Sequence, residues 1–372
     1  MANYTFRYQV VSVSAVDGGR SQPCDPASIT NNLYADGAWN DLSWGAVTGA
    51  DRYYIYKESG GVFGYIGQST TTTFRDDNIA PDLSRTPGVY DTMFVGAQNY
   101  PGAVAYFEQR RFFAGTLNQP QNVWATASGT ESQMRYGLPL RDDDRIAIRV
   151  ASREANPIRH MVPLGAMVVL TEASEWRMAT INSDAITPTT ISVRPQAYVG
   201  ANKVQPIVVG MSMIYAAARG GHVRELGYSE QSRSYATGDL CLRAAHLFDG
   251  AKINDLSWCK APWPIAWVIS GGGRLLGLTY VPEQQVGAWH QHTTQGAFES
   301  VCTVTEGEVE AVYVSVRRTI GGVTKRFIER FEQRIDNSAA DAYFVDCGAV
   351  YSGAPTNTIS GLDWLNGAVV SI

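Results

Sequence analysis

His290 and His292 stand two residues apart in a segment, Val286 to His292, whose pattern predicts a strand, so the two imidazoles share a face. Two imidazoles on one face can hold a transition metal. No third ligand lies close in sequence, however, and Trp289 takes the opposite face. A structural or surface pair is the expectation. Asp142, Asp143 and Asp144 form an acidic run behind Pro139, Leu140 and Arg141. Hard cations favour such runs, but a calcium loop would add a glycine and a bidentate glutamate in register. The run reads as a solvated turn, and Asp76, Asp77 and Asn78 read the same way. Cys241 and Cys302 have no histidine placed beside them in sequence for nucleophilic work and are expected to fill core. Gly271, Gly272 and Gly273 precede a predicted strand and lack the lysine of a phosphate loop. No Gly-x-Ser-x-Gly elbow occurs. Paired carboxylates for glycoside hydrolysis are a matter of geometry, so that chemistry stays open. No catalytic, cofactor-binding or metal-ligating residue is assigned.

The elements that position these residues are expected to be strands. The chain has 372 residues, of which 17% are charged and 11% aromatic, with 36 glycines, 9 tryptophans and 19 tyrosines. Soluble domains average about 25% charged residues. Low charge with many aromatic and β-branched residues favours all-β architecture. It also suits a surface covered in an assembly, because interface cores lose charge and gain Tyr, Trp and Arg. Arginine outnumbers lysine 25 to 5, and arginine is the cation suited to buried or interfacial pairs; GC-rich codon usage is the alternative origin of that bias.

A net charge of −5 and a pI near 5.6 argue against tight nucleic-acid binding, which needs a basic face. They do not argue against DNA passing along a mildly acidic wall. The five cysteines, Cys24, Cys241, Cys259, Cys302 and Cys347, are odd in number, widely spaced and without a CxxC, so they read as free core thiols in a reducing compartment. No run approaches 18 apolar residues, so no membrane span is expected. The start lacks the basic and apolar regions of a signal peptide. The chain opens directly into a strand, Tyr4 to Val13, and closes on an apolar stretch, 368–372; both ends read as cut from a longer protein.

Residues 1–86 are predicted to form a first module. Tyr4 to Val13 leads into Ala15-Val16-Asp17-Gly18-Gly19, a hairpin turn signal. Further strands are expected around Leu42 to Trp44, Gly49 to Tyr56, Phe63 to Ile66 and Thr71 to Phe74. A buried Trp facing alternating Tyr and Ile resembles a fibronectin type III sandwich. The segment 5–21 looks like the last two strands of such a domain, yet it comes first. A single compact module, in which the early strands complete the later ones, is favoured over a composite of two domains.

Pro81, Pro87 and Gly88 mark a boundary. Residues 87–372 then repeat two or three apolar strands every 45 to 50 residues, around 103–125, 158–178, 204–226, 265–290 and 298–329. Such units argue for a β-propeller of about five recognisable blades, against stacked β-sandwiches as the alternative. One segment differs. In residues 239–248 the apolar positions 240, 241, 244, 245 and 248 fall on one helical face, behind Asp239 and before Gly250.

Four stretches resemble the tail nozzle (tail tubular) proteins of short-tailed bacteriophages, which are related to packaged-DNA stabilisation proteins. They are YPGAVAYFEQRRFFAGTLNQPQNVWAT (100–126), PIRHMVPLGAMVVLTEASEWRM (157–178), GDLCLRAAHLF (238–248) and 273–301. VRRTIGGVTKRFIERFE (316–332) also fits, and 49–67 with 74–82 looks like the family's sandwich insertion. The resemblance implies a structural virion protein: a homo-hexameric ring below the portal and adaptor rings, with propellers around the DNA exit channel. It implies docking of tail fibre or tail needle proteins, transient non-specific passage of double-stranded DNA, no cofactor and no enzymatic activity. A carbohydrate-binding or glycan-hydrolysing propeller with an accessory sandwich is the alternative.

Overall fold

The computed structural model describes residues 3–91, 93–151, 156–181, 184–332, 351–367 and 369–370. The protein is all-β, a series of small antiparallel sheets. It divides into two compact units: residues 1–171 with 176–194, and residues 172–175 with 195–372.

In the first unit, β1 (Tyr4–Ser14), β2 (Ala27–Asn31), β3 (Asn40–Ser43), β4 (Ala50–Ser59), β5 (Val62–Ser69) and β6 (Thr73–Asp76) make two sheets, ordered β2-β1-β4-β5 and β3-β6. The first strand pairs directly with the fourth, Tyr8 opposite Lys57 and Val11 opposite Tyr54. Phe6 and Tyr8 are buried, then the parity changes and Val11 and Val13 are buried instead. Alternation along a strand therefore turns β1's first half to one face and its second half to the other. Phe6 and Tyr8 join Leu33, Ile55 and Ile66 in one core, with Leu42, Trp44 and Phe74 packed against it. Gly60 and Gly61, at φ 62° and 83°, form the two-residue turn between β4 and β5.

The same unit continues with β7 (Val89–Tyr90), β8 (Ala103–Phe107), β9 (Arg110–Ala114), β10 (Asn122–Ala125), β11 (Arg135–Tyr136) and β12 (Ile146–Arg149). Strands β8, β9, β10 and β12 form one meander, and β7 pairs with β11. The next four-stranded sheet is β13 (Ile158–Pro163), β14 (Met167–Thr171), β15 (Glu175–Thr180) and β16 (Ile191–Ala197). Phe112, Val123, Ile146, Met161, Met167 and Met178 share one core, so side chains of consecutive meanders interdigitate.

The second unit contains β17 (Ile207–Val209), β18 (Ser212–Ala216), β19 (Val223–Ser229) and β20 (Ser234–Asp239) in one sheet. It also contains β21 (Ile253–Cys259), β22 (Ile265–Ser270), β23 (Leu275–Val281) and β24 (Val286–His292) in a second. A three-stranded sheet follows: β25 (Ala297–Glu306), β26 (Val309–Ile320) and β27 (Val323–Arg330). Strand β22, IAWVIS, is buried along its whole length, as expected of an unbroken apolar run with sheet neighbours on both sides. One core joins Ile214, Phe248, Leu256, Val268 and Leu276; another joins Ile269, Leu275, Val301 and Val314. Each fully buried side chain of this kind contributes about 1.5–3 kcal/mol.

Two expectations change. The repeated units are four-stranded meanders in four of five cases, and the extra strands are β12, β16, β20 and β21. These lie at sheet edges, where one flank is free of a neighbouring strand and polar sequences such as SYATGD are tolerated. The amphipathic helix over 239–248 does not form. Asp239 ends β20, and Leu242–Leu247 is a short 3-10 segment kinked at Ala244, without a buried residue of its own. Cys241 and Phe248, which flank it, are the anchors and are fully buried. The carboxylate of Asp239 accepts the Cys241 N–H at 2.8 Å, a turn-type bond two residues along, and Cys241 itself takes the N-cap position without a side-chain capping bond. Among the described residues no helix is long and apolar enough to cross a membrane. The expected apolar strand at 368–372 and Cys347 lie outside or only partly within the described residues.

Candidate functional site

In the first unit the chemistry-bearing residues converge on the β8–β9 hairpin. Its two turn residues, Glu108 and Gln109, are left-handed (φ 44° and 59°) although neither is glycine. That conformation costs about 1–2 kcal/mol per residue. Compensation comes from tethers at the turn. Glu108 Oε2 accepts the Ile186 N–H at 2.7 Å, and the Gln109 carbonyl accepts the Gly129 N–H at 2.9 Å. Arg110 follows, buried, and its guanidinium donates to the carbonyls of Thr126 (2.7 Å), Asp144 (2.6 Å) and Asp142 (2.6 Å). Burial pulls the Arg110 pKa down, against the attraction of Asp143 and Asp144.

Within the acidic run the turn is present and Asp142 is exposed, but Asp144 is not solvated. Asp144 is fully buried; its Oδ1 accepts from Arg135 Nη1 at 3.1 Å, and its Oδ2 from the N–H groups of Gly137 (2.7 Å) and Arg141 (2.9 Å). Asp143 accepts from Arg135 Nη2 at 2.8 Å. Burial works against ionisation of Asp143, but the Arg135 hydrogen bond together with the charges of Arg135 and Arg20 outweighs it and holds the carboxyl below its ordinary value. Asp76 is corrected likewise. It is fully buried, 2.9 Å from Lys57 Nζ, and it accepts from Tyr8 OH (2.6 Å) and the Ile79 N–H (2.7 Å). Burial, then the bond to Asp76, drives the Tyr8 hydroxyl pKa upward. In both places the partner arginine or lysine lies too far along the chain to be read from local sequence.

In the second unit His290 and His292 share a face of β24, as their spacing requires. His290 Nδ1 lies 3.0 Å from His292 Nε2. The rings pack on Trp267 of β22, with centroid distances of 5.6 and 5.4 Å, and His292 and Trp267 also meet Phe331. Gly277 of β23 lies opposite both Trp267 and His290, and its missing side chain leaves the space that the His290 ring fills. On the other face Trp289 donates to the Leu240 carbonyl at 2.8 Å and packs on Phe248. Beside the aromatic cluster lies a cleft of about 80 Å3 lined by Pro262, Trp263, Ile265, Val312 and Phe331. The pair supplies two nitrogen donors; among the described residues no group of three or more His, Cys, Asp or Glu side chains could hold a metal.

Sequence reasoning missed a histidine beside Cys241. His222 Nδ1 lies 2.8 Å from Asp239 Oδ2 and its Nε2 3.5 Å from Asp249 Oδ1, while the neighbouring Val223 N–H donates to Cys241 Sγ at 3.1 Å. The bond to Asp239 holds the His222 pKa above its ordinary value. Burial pushes the Cys241 thiol up to about 12, so it stays protonated and is no nucleophile at neutral pH. Cys241 and Cys259 fill core, whereas Cys24 and Cys302 are exposed, contrary to the core role expected for them. Both exposed cysteines lie on or beside sheet strands with a solvent-facing side, a distinction that spacing cannot reveal. Gly271, Gly272 and Gly273 make the turn between β22 and β23.

Glu175 is a further buried charge. Its carboxylate accepts from Gly200 N–H (2.8 Å), Tyr215 OH (2.8 Å) and Val199 N–H (3.2 Å). Burial, reinforced by Glu175, drives the Tyr215 pKa upward.

No family model matches the chain, and no curated protein matches it. Among solved structures it is similar to a periplasmic gluconolactonase, PpgL, of Pseudomonas aeruginosa, with 12% identity, 88% of this chain and 96% of that one covered, and a TM-score of 0.37. It is also similar to apo AztD from Citrobacter koseri (9% identity, 84% and 89% covered, TM-score 0.35) and to a luciferin-regenerating enzyme (11%, 58% and 83%, TM-score 0.27). The expectation that the chain has no enzymatic activity is corrected by these neighbours, two of which are enzymes by name. At such TM-scores the likeness assigns no activity to this chain.

Proposed function

We propose that the chain is a subunit of the tail nozzle of a short-tailed bacteriophage, a structural virion protein that forms a ring around the DNA exit channel. In this reading the meanders β8–β12, β13–β16, β17–β20, β21–β24 and β25–β27 are about five blades of a β-propeller, and β1–β6 form a fibronectin type III-like module. The ring is a homo-hexamer seated on the portal and adaptor rings. It stabilises packaged DNA, lets the duplex pass without specific contacts, and offers a docking site to tail fibre or needle proteins. Assembly takes place in the bacterial cytoplasm.

One observation carries the proposal. In four of the stretches that resemble the nozzle family, a buried or half-buried polar side chain ties strands and loops together. Arg110 does so in 100–126, Glu175 in 157–178 and Trp289 in 273–301. Arg318 does so in 316–332, paired with Glu329 at 2.7 Å. These residues are committed to scaffold. Large apolar side chains stay outside, including Tyr106, Leu117, Met211 and Ile328, and suit burial against neighbouring subunits.

The test is DNA retention. Phage particles assembled without this chain should fill and then leak their DNA, and adding the purified protein should restore retention. Particles that retain DNA without it, combined with glycan binding by the purified chain, would move the assignment to the carbohydrate alternative.

A further inference from the structure

In the first unit two arginines, Arg20 and Arg85, sit on tyrosine rings without an ion pair to a carboxylate, unlike Arg111 on Tyr106 and Arg145 on Tyr136, which pair with Glu131 and Asp91. Strands β4 and β5 carry Tyr54, Tyr56 and Tyr65, whose rings pack edge to face, Tyr54 to Tyr65 at 5.7 Å and Tyr56 to Tyr65 at 6.0 Å. The Arg20 guanidinium lies 5.1 Å from the Tyr54 ring centre, and that of Arg85 lies 3.8 Å from the Tyr65 ring centre. Backbone bonds fix the second seat: the Tyr65 N–H donates to the carbonyls of Asp82 and Arg85, both at 3.1 Å. Arg141 arrives from the loop before β12, and its Nη2 donates to the Ser84 carbonyl, next to Arg85, at 2.8 Å.

Elsewhere in the protein most arginines sit against carboxylates, as Arg75 does on Asp41, Arg135 on Asp143 and Asp144, and Arg326 on Glu299. Arg20, Arg85 and Arg141 make no such pair among the described residues. The nearby acids are already engaged: Asp82 accepts from Ser84 N–H (3.0 Å) and Ser84 Oγ (2.6 Å), and Asp143 from Arg135. That the three cations occupy one neighbourhood is also visible at the Tyr56 hydroxyl. Burial raises its pKa, and Arg20, Arg141 and Arg85 all pull against that rise.

The guanidiniums of Arg20 and Arg85 are seated over aromatic rings, a contact that uses none of their N–H donors. The guanidinium fork matches the oxygens of a phosphate, with which it forms paired, charge-assisted hydrogen bonds. The three cations also attract an anion over a longer range, offset only in part by Asp82, whose ionised form Arg85 and Arg141 favour, and by Asp143, which Arg20 favours. We infer that Arg20, Arg85 and Arg141 form a binding site for phosphate groups on the first unit. The site stands independently of the nozzle assignment.

The experiment is calorimetric titration of pyrophosphate into the whole protein in phosphate-free buffer at low salt. Wild type should bind, and Arg20→Gln/Arg85→Gln should bind at least tenfold more weakly while keeping its circular dichroism spectrum. Arg85→Lys retains charge without the planar fork and should lose about threefold. Arg243→Gln, which removes an exposed arginine in the second unit, should bind as wild type does. Should the double variant fail to fold, Arg85→Lys and Arg141→Gln carry the comparison. A short DNA duplex that displaces pyrophosphate would identify the phosphate source as a polymer; a duplex that does not would identify a small phosphate ligand. The site is overturned if wild type shows no binding at low millimolar pyrophosphate, or if the folded arginine variants bind as tightly as wild type.

Discussion

Gly277 and His290 face each other across β23 and β24, and a Cβ on Gly277 would stand 2.2 Å from the His290 Cε1. The imidazole occupies the volume that a side chain at 277 would need. Because the ring is also held against Trp267 and His292, it cannot swing aside without breaking those contacts. Gly277→Ala should therefore destabilise the protein by about 1–3 kcal/mol, the usual cost of overpacking. Gly277→Ala/His290→Ala should recover part of that loss, read as non-additivity of denaturant midpoints. Equal destabilisation in single and double variants would show that the ring is not what excludes a side chain at 277.

Arg110 donates to three carbonyls from two loops. Arg110→Ala should cost about 3 kcal/mol or more, because each buried acceptor left unmade costs about 1–3 kcal/mol. Arg110→Lys preserves charge but not the fork, so it should fall between wild type and alanine in chemical denaturation. A loss below 1 kcal/mol for the alanine variant would mean that water replaces the guanidinium.

The strands that bury apolar side chains on both faces were legible in the sequence, as with Met167–Thr171 and Ile265–Ser270. The edge strands were not: Ile191–Ala197 contains Pro195 and has no fully buried residue, so its pairing comes from its neighbour and not from its own pattern. The shared face of His290 and His292 followed from the period-2 geometry of a strand. The roles of Asp76 and Asp144 were hidden because Lys57 and Arg135 reach them through the fold, and an acidic run in sequence looks alike whether solvated or paired. The apolar spacing of 239–248 suggested a helix, but the two fully buried anchors, Cys241 and Phe248, lie seven residues apart in sequence and hold only a short 3-10 turn between them.

His222 links two carboxylates at the ends of that segment, Asp239 and Asp249. Its folded pKa is raised above the unfolded value, near 6.5. The contribution of protonated His222 is therefore complete below about pH 6.5 and is lost as pH rises through the folded pKa. Asp239 has a lowered pKa: burial opposes ionisation, but the bonds from His222 and the Cys241 N–H outweigh it. Its contribution vanishes only in acid, as pH falls below about 4 toward the folded pKa. His222→Gln should thus destabilise more at pH 5.5 than at pH 9. The difference should be about 1 kcal/mol or less, because the pair is partly exposed and screened. Identical effects at both pH values would exclude an ionic role for His222.

The central claim is assembly into a ring. Light scattering of the full protein, alone and mixed with the portal–adaptor ring, backed by negative-stain images, tests it most directly. Six-fold rings, formed spontaneously or on the adaptor, are the expected result. A stable monomer that ignores the adaptor would contradict it.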